Sequence, residues 1–146
     1  MTKARATKPT DRSQAVKYRG VARAFLDAAE ALSLVAAEDE SYGNAIALLS
    51  VHLCVSYADA TCIGYGEQKS RAGDHELVVP LLHDIMRERL PADIEKHLRL
   101  VVSRKDEIAY QGLHFSLHEA RQLLERATRF AVWAEQMYQL RPTARN

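Results

Sequence analysis

The sequence carries almost no net charge, and this absence excludes one large class of nucleic-acid-binding proteins. Its 20 lysines and arginines are matched by 19 aspartates and glutamates, which leaves a formal charge of +1. A dedicated duplex-binding protein usually has a clear excess of positive charge for its phosphate contacts. The composition therefore leaves room only for a local basic patch.

Cysteines and long apolar segments are also scarce. Cys54 and Cys62 are the two cysteines, and in one helix they would stand about 12 Å apart along the axis, too far for a disulfide. The first residues lack the apolar middle of a signal peptide, and no apolar run approaches the roughly 20 residues of a membrane span. We therefore expect reduced thiols in a soluble, cytoplasmic protein with no membrane partner.

Most of the chain follows the period of an α-helix. Its 146 residues, 47% of them hydrophobic, suffice for one domain with its own core. The spacing predicts no strand, and it predicts helices over residues 12–37, 41–66, 74–90, 91–112 and 116–138. We expect an all-α fold, a four- to five-helix up-down bundle over residues 12–138, between flexible tails at residues 1–11 and 139–146.

Several residues mark how these helices begin and pack. Asp74 is the expected N-cap of the third helix, and Pro80 must kink that helix or delay its start. Pro91 suits the opening of the fourth helix, while Ser116 and Glu119 form a capping box for the fifth. The first helix has an apolar seam of helical period that is expected to face the core: Tyr18, Val21, Phe25, Ala28, Leu32 and Val35.

Polar residues interrupt the otherwise apolar second helix. At about 100° per residue, Asn44, His52 and Asp59 fall within an arc of roughly 80° and so share one face. Burying such groups without partners would cost several kcal/mol, so they must either be satisfied across the bundle or line a wet groove. A polar layer that fixes helix register and a functional groove both fit this pattern.

The predicted fourth helix also carries a charged residue, Arg104, on its expected inward face. It lies angularly between Val101 and Ile108, two residues of the inward face, so its guanidinium is expected to start inside the bundle. An inward arginine requires a carboxylate or an anionic ligand, because it cannot lose its charge. We expect Asp59 to be its partner, either in a structural ion pair or in an anion site.

The order of these elements resembles the HEPN superfamily of small all-α domains. The segments that carry the resemblance are SYGNAIALLSVHLCVSYADA, RAGDHE, the charged end of the fourth helix and LHEARQLLERATRFAVWAEQ. The hallmark of that family is an arginine followed, after four to six residues, by a histidine. Arg104 matches the arginine, but after five residues this chain has Tyr110, and the next histidine is His114.

The resemblance implies a dimeric helical bundle, often encoded beside a nucleotidyltransferase or antitoxin partner in toxin–antitoxin or defence systems. Many family members are metal-independent ribonucleases. Cleavage of RNA through its own 2′-hydroxyl needs a proton acceptor near neutral pH, and Tyr110, with an ordinary pKa of about 10, suits that role poorly. The catalytic candidates are therefore Arg104, Tyr110 and His52, which could supply the base.

Three interpretations of the function stay open: a nucleotide- or RNA-binding module, an active ribonuclease, and a dimeric partner-binding protein that is not an enzyme. The expected ligand-binding residues are Asn44, His52, Asp59, Arg104 and Tyr110. We expect no cofactor. We also expect a homodimer, because the central and final helices look too apolar to be covered within one chain.

Two weaker motifs contain histidine. Arg71 and His75 lie near a helix start, where backbone N–H groups could hold a phosphate, although a simple cap explains them as well. His114 and His118 have the i, i+4 spacing of metal ligands, but the cap at Ser116 places His114 outside the helix. No metal site is expected.

Overall fold

The fold is all-α, as the sequence predicts. It is seen in a computed structural model that describes residues 7–71, 75–109 and 112–143. Its helices are α1 (Ala15–Ala36), α2 (Gly43–Gly66), α3 (Val78–Met86), α4 (Ala92–Val102), α5 (Lys105–Ala109) and α6 (Leu117–Leu140). Single 3₁₀ turns stand at Arg12–Gln14, Glu40–Tyr42, His75–Leu77 and Arg87–Arg89.

Helix α2 is the centre of the bundle and is buried on almost every side. Helix α1 lies antiparallel to α2, so that Ala15 lies beside Gly64 and Phe25 lies beside His52. Helix α6 covers another side, and its Glu135 accepts a hydrogen bond from Tyr57. The polar ends and connections of the other helices are arranged around this core.

The inner face of α1 agrees only in part with the seam that the sequence predicts, of which Phe25 and Leu32 pack against the core. Its buried residues are Ala15, Ala22, Ala29 and Ala36, all at most 2% exposed. Val21 and Val35 of the predicted seam are instead 42% and 72% exposed. Alanines form the fully buried face of α1, and the larger side chains that reach the core from α1 stay only partly buried.

The predicted fourth helix is broken into two. Helix α4 ends at Val102, and α5 begins at Lys105 after a turn through Ser103 and Arg104. The hydroxyl of Ser103 donates a 3.0 Å hydrogen bond to the carbonyl of Leu100, a local bond of the kind that competes with continued helix. Arg104 therefore lies in a turn rather than on the inward face of a helix.

Proline and the capping box act at helix starts. Pro80 is the third residue of α3, where a missing N–H costs no helical hydrogen bond, so it delays the helix without kinking it. Pro91 is the N-cap of α4. The capping box at Ser116 and Glu119 is confirmed. The predicted N-cap Asp74 lies outside the described residues.

A small antiparallel sheet accompanies the helices, which the sequence did not predict. Strand β1 (Thr7–Pro9) pairs with strand β2 (Gln68–Ser70), with Thr7 opposite Ser70. Segments of three residues are too short to display an alternating pattern. In β2 the side chains of Lys69 and Ser70 are buried, at 8% and 2% exposure.

One stretch of the described residues is long and apolar enough to cross a membrane, contrary to the expectation from the sequence. It comprises Glu40–Gly66, with a mean hydropathy of 1.6, and 78% of its apolar window is buried inside the protein. The expectation considered only uninterrupted apolar runs, whereas the mean hydropathy of a window stays high even though α2 contains a few polar residues. Core helices of globular proteins pass the same test when they are covered on all sides, as α2 is.

Candidate anion-binding groove

Asp59 is paired within the fold, but not with Arg104. Its Oδ1 accepts a 3.0 Å hydrogen bond from the hydroxyl of Ser70, and Lys69 is close enough to act on it electrostatically. Burial raises the pKa of Asp59 to about 6, and the Ser70 hydrogen bond and the Lys69 charge only partly oppose this. Asp59 therefore anchors β2 to α2, and the expected Asp59–Arg104 pair is wrong.

The error comes from position along the helix axis. Asn44 and Asp59 share a face of α2 but are 15 residues apart, which is about 22 Å at 1.5 Å per residue. Asn44 and the stacking partner of Arg104 lie at the beginning of α2, whereas Asp59 meets β2 near its end. A shared helical face does not bring such distant residues into one site.

Asn44 is a structural clamp. Its Nδ2 donates a 2.7 Å hydrogen bond to the carbonyl of Leu113, and its Oδ1 accepts a 2.9 Å hydrogen bond from the N–H of Phe115. The neighbouring Gly43 allows this contact, because a Cβ there would lie only 1.8 Å from the carbonyl oxygen of Phe115. Both ends of the Asn44 amide are thus used to fix the segment before α6.

His52 faces α1 and α5. Its ring stacks on Phe25 with 5.3 Å between centroids. Burial lowers the pKa of His52, and the charge of Lys105 lowers it further, so the ring is neutral near pH 7. Of the expected ligand-binding set, His52 and Asp59 have separate structural surroundings, and Tyr110 lies outside the described residues.

Arg104 is held by an aromatic ring and offers an unused donor. Its guanidinium carbon lies 4.8 Å from the centroid of Phe115, the residue that Asn44 fixes. Its Nε lies 3.2 Å from a Glu107 carboxylate oxygen, close enough for an ion pair but not aligned for a hydrogen bond. Among the described residues, this Nε is a buried donor without a hydrogen-bond acceptor.

Arg104 opens into a groove between α4 and α6. The groove consists of two adjoining cavities of about 320 and 250 Å³ that share Gln122 and Arg126. His97 and Arg129 line the first cavity, and Arg104 lines the second. We name this feature the α4/α6 groove.

Arg126 is the centre of the α4/α6 groove. Its Nη1 lies 3.4 Å from Nδ1 of His97, and no carboxylate oxygen in the described part of the chain lies within 4 Å of its nitrogens. Burial lowers the pKa of His97, and the positive charges of Arg126 and Arg129 lower it further. His97 is therefore neutral near pH 7, and its Nδ1 can accept a hydrogen bond from Arg126 without cancelling the charge of the guanidinium.

The two carboxylates that line the groove pair with residues other than Arg126 and Arg104. Glu119 bonds to Ser116 in the capping box, and Glu125 lies 3.3 Å from Arg129. Among the described residues, Arg126 and the terminal nitrogens of Arg104 have no carboxylate within 4 Å, whereas the buried Nε of Arg104 lies beside Glu107. Two guanidinium groups around one cavity suit an anion with several oxygens, such as a phosphate.

Two other cavities in the described part of the chain are less suited to a charged ligand. One of about 260 Å³ lies between α3 and α4, beside Val79, Pro80 and Val102. Another, of about 500 Å³, lies beside Tyr65, Met137 and Leu140, and the Arg89 guanidinium near it is stacked on the Tyr65 ring. Neither combines two arginines with spare donors.

A partial signal for the groove is present in the sequence. His97 and Arg104 are seven residues apart, and Gln122, Arg126 and Arg129 follow the i, i+4, i+7 spacing of one helical face. Each set forms a polar stripe. Nothing in the sequence indicates that these two stripes face each other across α4 and α6.

The side chains described for the weaker histidine motifs form no further site. The described residues contain no group of three or more histidine, cysteine, aspartate or glutamate side chains able to hold a metal ion. His114 is exposed and precedes α6, and Arg71 donates a 3.4 Å hydrogen bond to the carbonyl of Thr7. Cys54 and Cys62 are free and buried, as expected.

No profile of a protein family, no curated protein and no solved structure matches this chain.

Proposed function

We propose that this chain is a HEPN-like helical protein that binds a nucleotide or an RNA through phosphate in the α4/α6 groove. The observation that carries the proposal is Arg126, whose guanidinium lines both cavities with a neutral histidine as its hydrogen-bond partner. The membership of a toxin–antitoxin or defence system, with a nucleotidyltransferase or antitoxin as partner, belongs to the same proposal.

Phosphate is the ligand group that the geometry favours. Arginine presents its N–H donors in a fixed fork that matches two phosphate oxygens, and charge-assisted bonds of this kind are about twice as strong as neutral ones. The stacking of Arg104 on Phe115 holds its guanidinium in place before a ligand arrives. Preorganisation of this kind reduces the entropy lost on binding.

Calorimetric titration tests the proposal directly. Adenosine monophosphate and a short single-stranded RNA are expected to bind, and adenosine, which lacks the phosphate, is expected to bind far more weakly. Raising the salt concentration should weaken binding because the attraction is between charges. The change Arg126→Gln should weaken binding by about 10-fold or more, since a hydrogen bond to a charged group contributes about 1.5–3 kcal/mol.

Arg87→Gln is the matched control. Arg87 is exposed and lies in the turn after α3, and it lines none of the cavities of the groove. Its replacement removes the same charge and should leave affinity within about twofold of the original protein, in line with weak surface electrostatics. Equal losses in both variants, or no binding of any phosphate-bearing ligand at millimolar concentration, would contradict the proposal.

Metal-independent RNA cleavage is the second candidate function, favoured by His97. This neutral histidine lies beside Arg126 and shares the groove with Arg104, so a proton acceptor and two phosphate-binding groups occur together. Labelled RNA should then be cut without added metal, and His97→Gln or Arg104→Ala should abolish cleavage while the protein stays folded. Intact RNA after prolonged incubation would leave binding as the function.

A further inference from the structure

A cavity of about 500 Å³ at the C-terminal end of α6 is separate from the α4/α6 groove. Its lining residues are Tyr65, Arg89, Met137, Leu140 and Pro142, and we name it the Tyr65 cavity. Along α6, Met137 is 11 residue steps from Arg126, about 16 Å. The volume lies in the usual range of small-molecule sites, which are concave and mostly apolar with a few polar groups.

The polar atoms in the wall of the Tyr65 cavity are used within the fold. The hydroxyl of Tyr65 donates a 2.7 Å hydrogen bond to the carbonyl of Met137. The next carbonyl, that of Tyr138, accepts a 2.8 Å hydrogen bond from Nη1 of Arg141. The wall therefore offers a ligand mainly apolar surface, and Leu140, a part of it, is 72% exposed. Covering this surface with an apolar group is favourable because it removes the surface from water.

Arg89 is the charged residue of this wall. Its carbonyl accepts a 3.0 Å hydrogen bond from the indole N–H of Trp133, which fixes its backbone. Its guanidinium carbon lies 5.2 Å from the centroid of the Tyr65 ring. In the described part of the chain, no carboxylate oxygen lies within 4 Å of the Arg89 nitrogens. Because an arginine cannot lose its charge, Arg89 keeps a positive charge and its donors beside an apolar cavity.

Arg141 strengthens the positive potential near the cavity without lining it. Burial raises the pKa of Tyr65, and the charges of Arg89 and Arg141 oppose this rise, so both guanidinium groups act on the same phenol. Arg141 itself is stacked 3.8 Å from the centroid of the Tyr138 ring. One arginine in an apolar wall suits a single negative charge on an apolar molecule, rather than the several charged oxygens of a phosphate.

We propose that the Tyr65 cavity binds a medium-chain aliphatic carboxylate, with its chain against Met137 and Leu140 and its carboxylate on Arg89. An aliphatic chain fits because the face of the Tyr65 ring already carries Arg89, which leaves aliphatic side chains as most of the wall. The guanidinium matches a carboxylate in a two-bonded pair. Stacking on Tyr65 holds it in place, which reduces the entropy lost on binding.

Nuclear magnetic resonance of the methyl groups tests this site in the whole chain. Octanoate, octanol and acetate serve as probes, and the methyl signals of Met137 and Leu140 are assigned by single replacements. Octanoate should shift both signals in a saturable manner and bind about 10-fold more tightly than octanol, which lacks the charge. Acetate should leave them in place, because it has no chain to bury. Signals that octanoate does not move, or octanol that binds as tightly, would overturn the proposal.

Arg89→Gln tests the contact with the carboxylate. It should weaken binding of octanoate by about 10-fold and leave that of octanol within about twofold, since only the charged group is lost. Arg87→Gln is the matched control, because Arg87 is exposed in the same turn and does not line the cavity. Equal losses of octanoate binding in both variants would overturn the proposal.

Leu140→Asn tests the contact with the chain. Leu140 is mostly exposed, so the fold should be kept, and octanoate and octanol should both bind more weakly. Val132→Asn is the control, because Val132 is also exposed on α6, at 57%, and does not line the cavity. Arg126→Gln should leave octanoate binding unchanged whether or not the α4/α6 groove binds phosphate. A loss of octanoate binding in that variant would place the probe in the groove and overturn the proposal.

Discussion

Arg19 and Arg126 are both half-buried arginines between helices, but their surroundings differ. Arg19 of α1 donates two hydrogen bonds of 2.8 Å to the carboxylate of Glu135, which also accepts a 2.9 Å hydrogen bond from Tyr57. Arg126 has the neutral ring of His97 beside it and no carboxylate within 4 Å in the described fold. The positive charge of Arg19 is balanced by the carboxylate of Glu135, whereas the positive charge of Arg126 has no such partner in the described fold.

The difference separates a stabilising arginine from a binding arginine. The hydrogen bond from Arg19 lowers the pKa of Glu135, and the hydrogen bond to Glu135 raises the pKa of Arg19, so each group favours the charged form of the other. The pKa of His97 is lowered instead, because burial and the charge of Arg126 both favour the neutral ring. Loss of Arg19 or Glu135 should therefore affect folding, and loss of Arg126 should affect binding.

The largest expected effect is that of Glu135→Ala. It leaves Arg19 without its carboxylate and Tyr57 without its acceptor, and breaking such a pair in a buried site costs about 3–5 kcal/mol. Both side chains keep partial exposure, 30% and 23%, so we expect a loss of about 2–3 kcal/mol in the free energy of unfolding, measured with urea. A loss below about 0.5 kcal/mol would remove the distinction between the two arginines.

Asp59→Asn should stabilise the protein at neutral pH. Burial raises the pKa of Asp59 from 3.8 to about 6, so the folded protein binds this proton more tightly than the unfolded chain does. Stability from this group is therefore greatest below about pH 4 and falls as the pH rises to about 6. The variant should gain about 2 kcal/mol at pH 7.5 and almost nothing at pH 4.

Urea unfolding of both proteins at these two pH values measures this effect. The measurement extends the comparison of Arg19 and Arg126 to carboxylates, because Asp59 is a buried carboxylate without a guanidinium partner, whereas Glu135 is bound by Arg19. A variant that is less stable than the original protein at pH 7.5 would show that the charged carboxylate stabilises the junction with Ser70.

Asn44→Ala should have a smaller effect on stability, and it should also weaken ligand binding in the α4/α6 groove. It removes two hydrogen bonds to the backbone around Phe115, for an expected cost of about 1.5 kcal/mol. Phe115 supports Arg104, so binding of adenosine monophosphate should weaken as well. Thermal unfolding and calorimetric titration measure the two effects, and unchanged affinity would show that Arg104 needs no such support.

Arg126→Gln should have the smallest effect on folding. No ion pair is broken, and its one hydrogen bond in the described fold, to His97, is long, so we expect stability within about 0.5 kcal/mol of the original protein. Urea unfolding measures this. A loss of 2 kcal/mol, equal to that of Glu135→Ala, would mean that Arg126 serves the fold as Arg19 does.

Local signals in the sequence predicted the helices well. The ranges of α1 and α2, the start of α4 after Pro91 and the capping box at Ser116 depend on neighbouring residues, which can be read directly. The break at Ser103 was missed because one serine hydroxyl that bonds back to Leu100 leaves no mark on the apolar period.

Contacts between helices were harder to predict. The buried alanines of α1 depend on how closely α2 approaches, and the supposed Asp59–Arg104 pair was inferred from angle without regard to distance along the axis. The α4/α6 groove depends on which edges of two helices meet, which is a property of the whole fold. Arg104 was identified as a site residue from its charge in an apolar pattern, whereas its neighbour Arg126 was not.

Nuclear magnetic resonance of the arginine side chains tests the comparison most directly. Inorganic phosphate would be titrated into labelled protein, with the Nε–H signals of Arg19, Arg104 and Arg126 assigned by single replacements. We predict that the Arg104 and Arg126 signals shift in a saturable manner while the Arg19 signal stays in place, because the donors of Arg19 are occupied by Glu135. Signals of Arg104 and Arg126 that never move, or that move only together with Arg19, would contradict it.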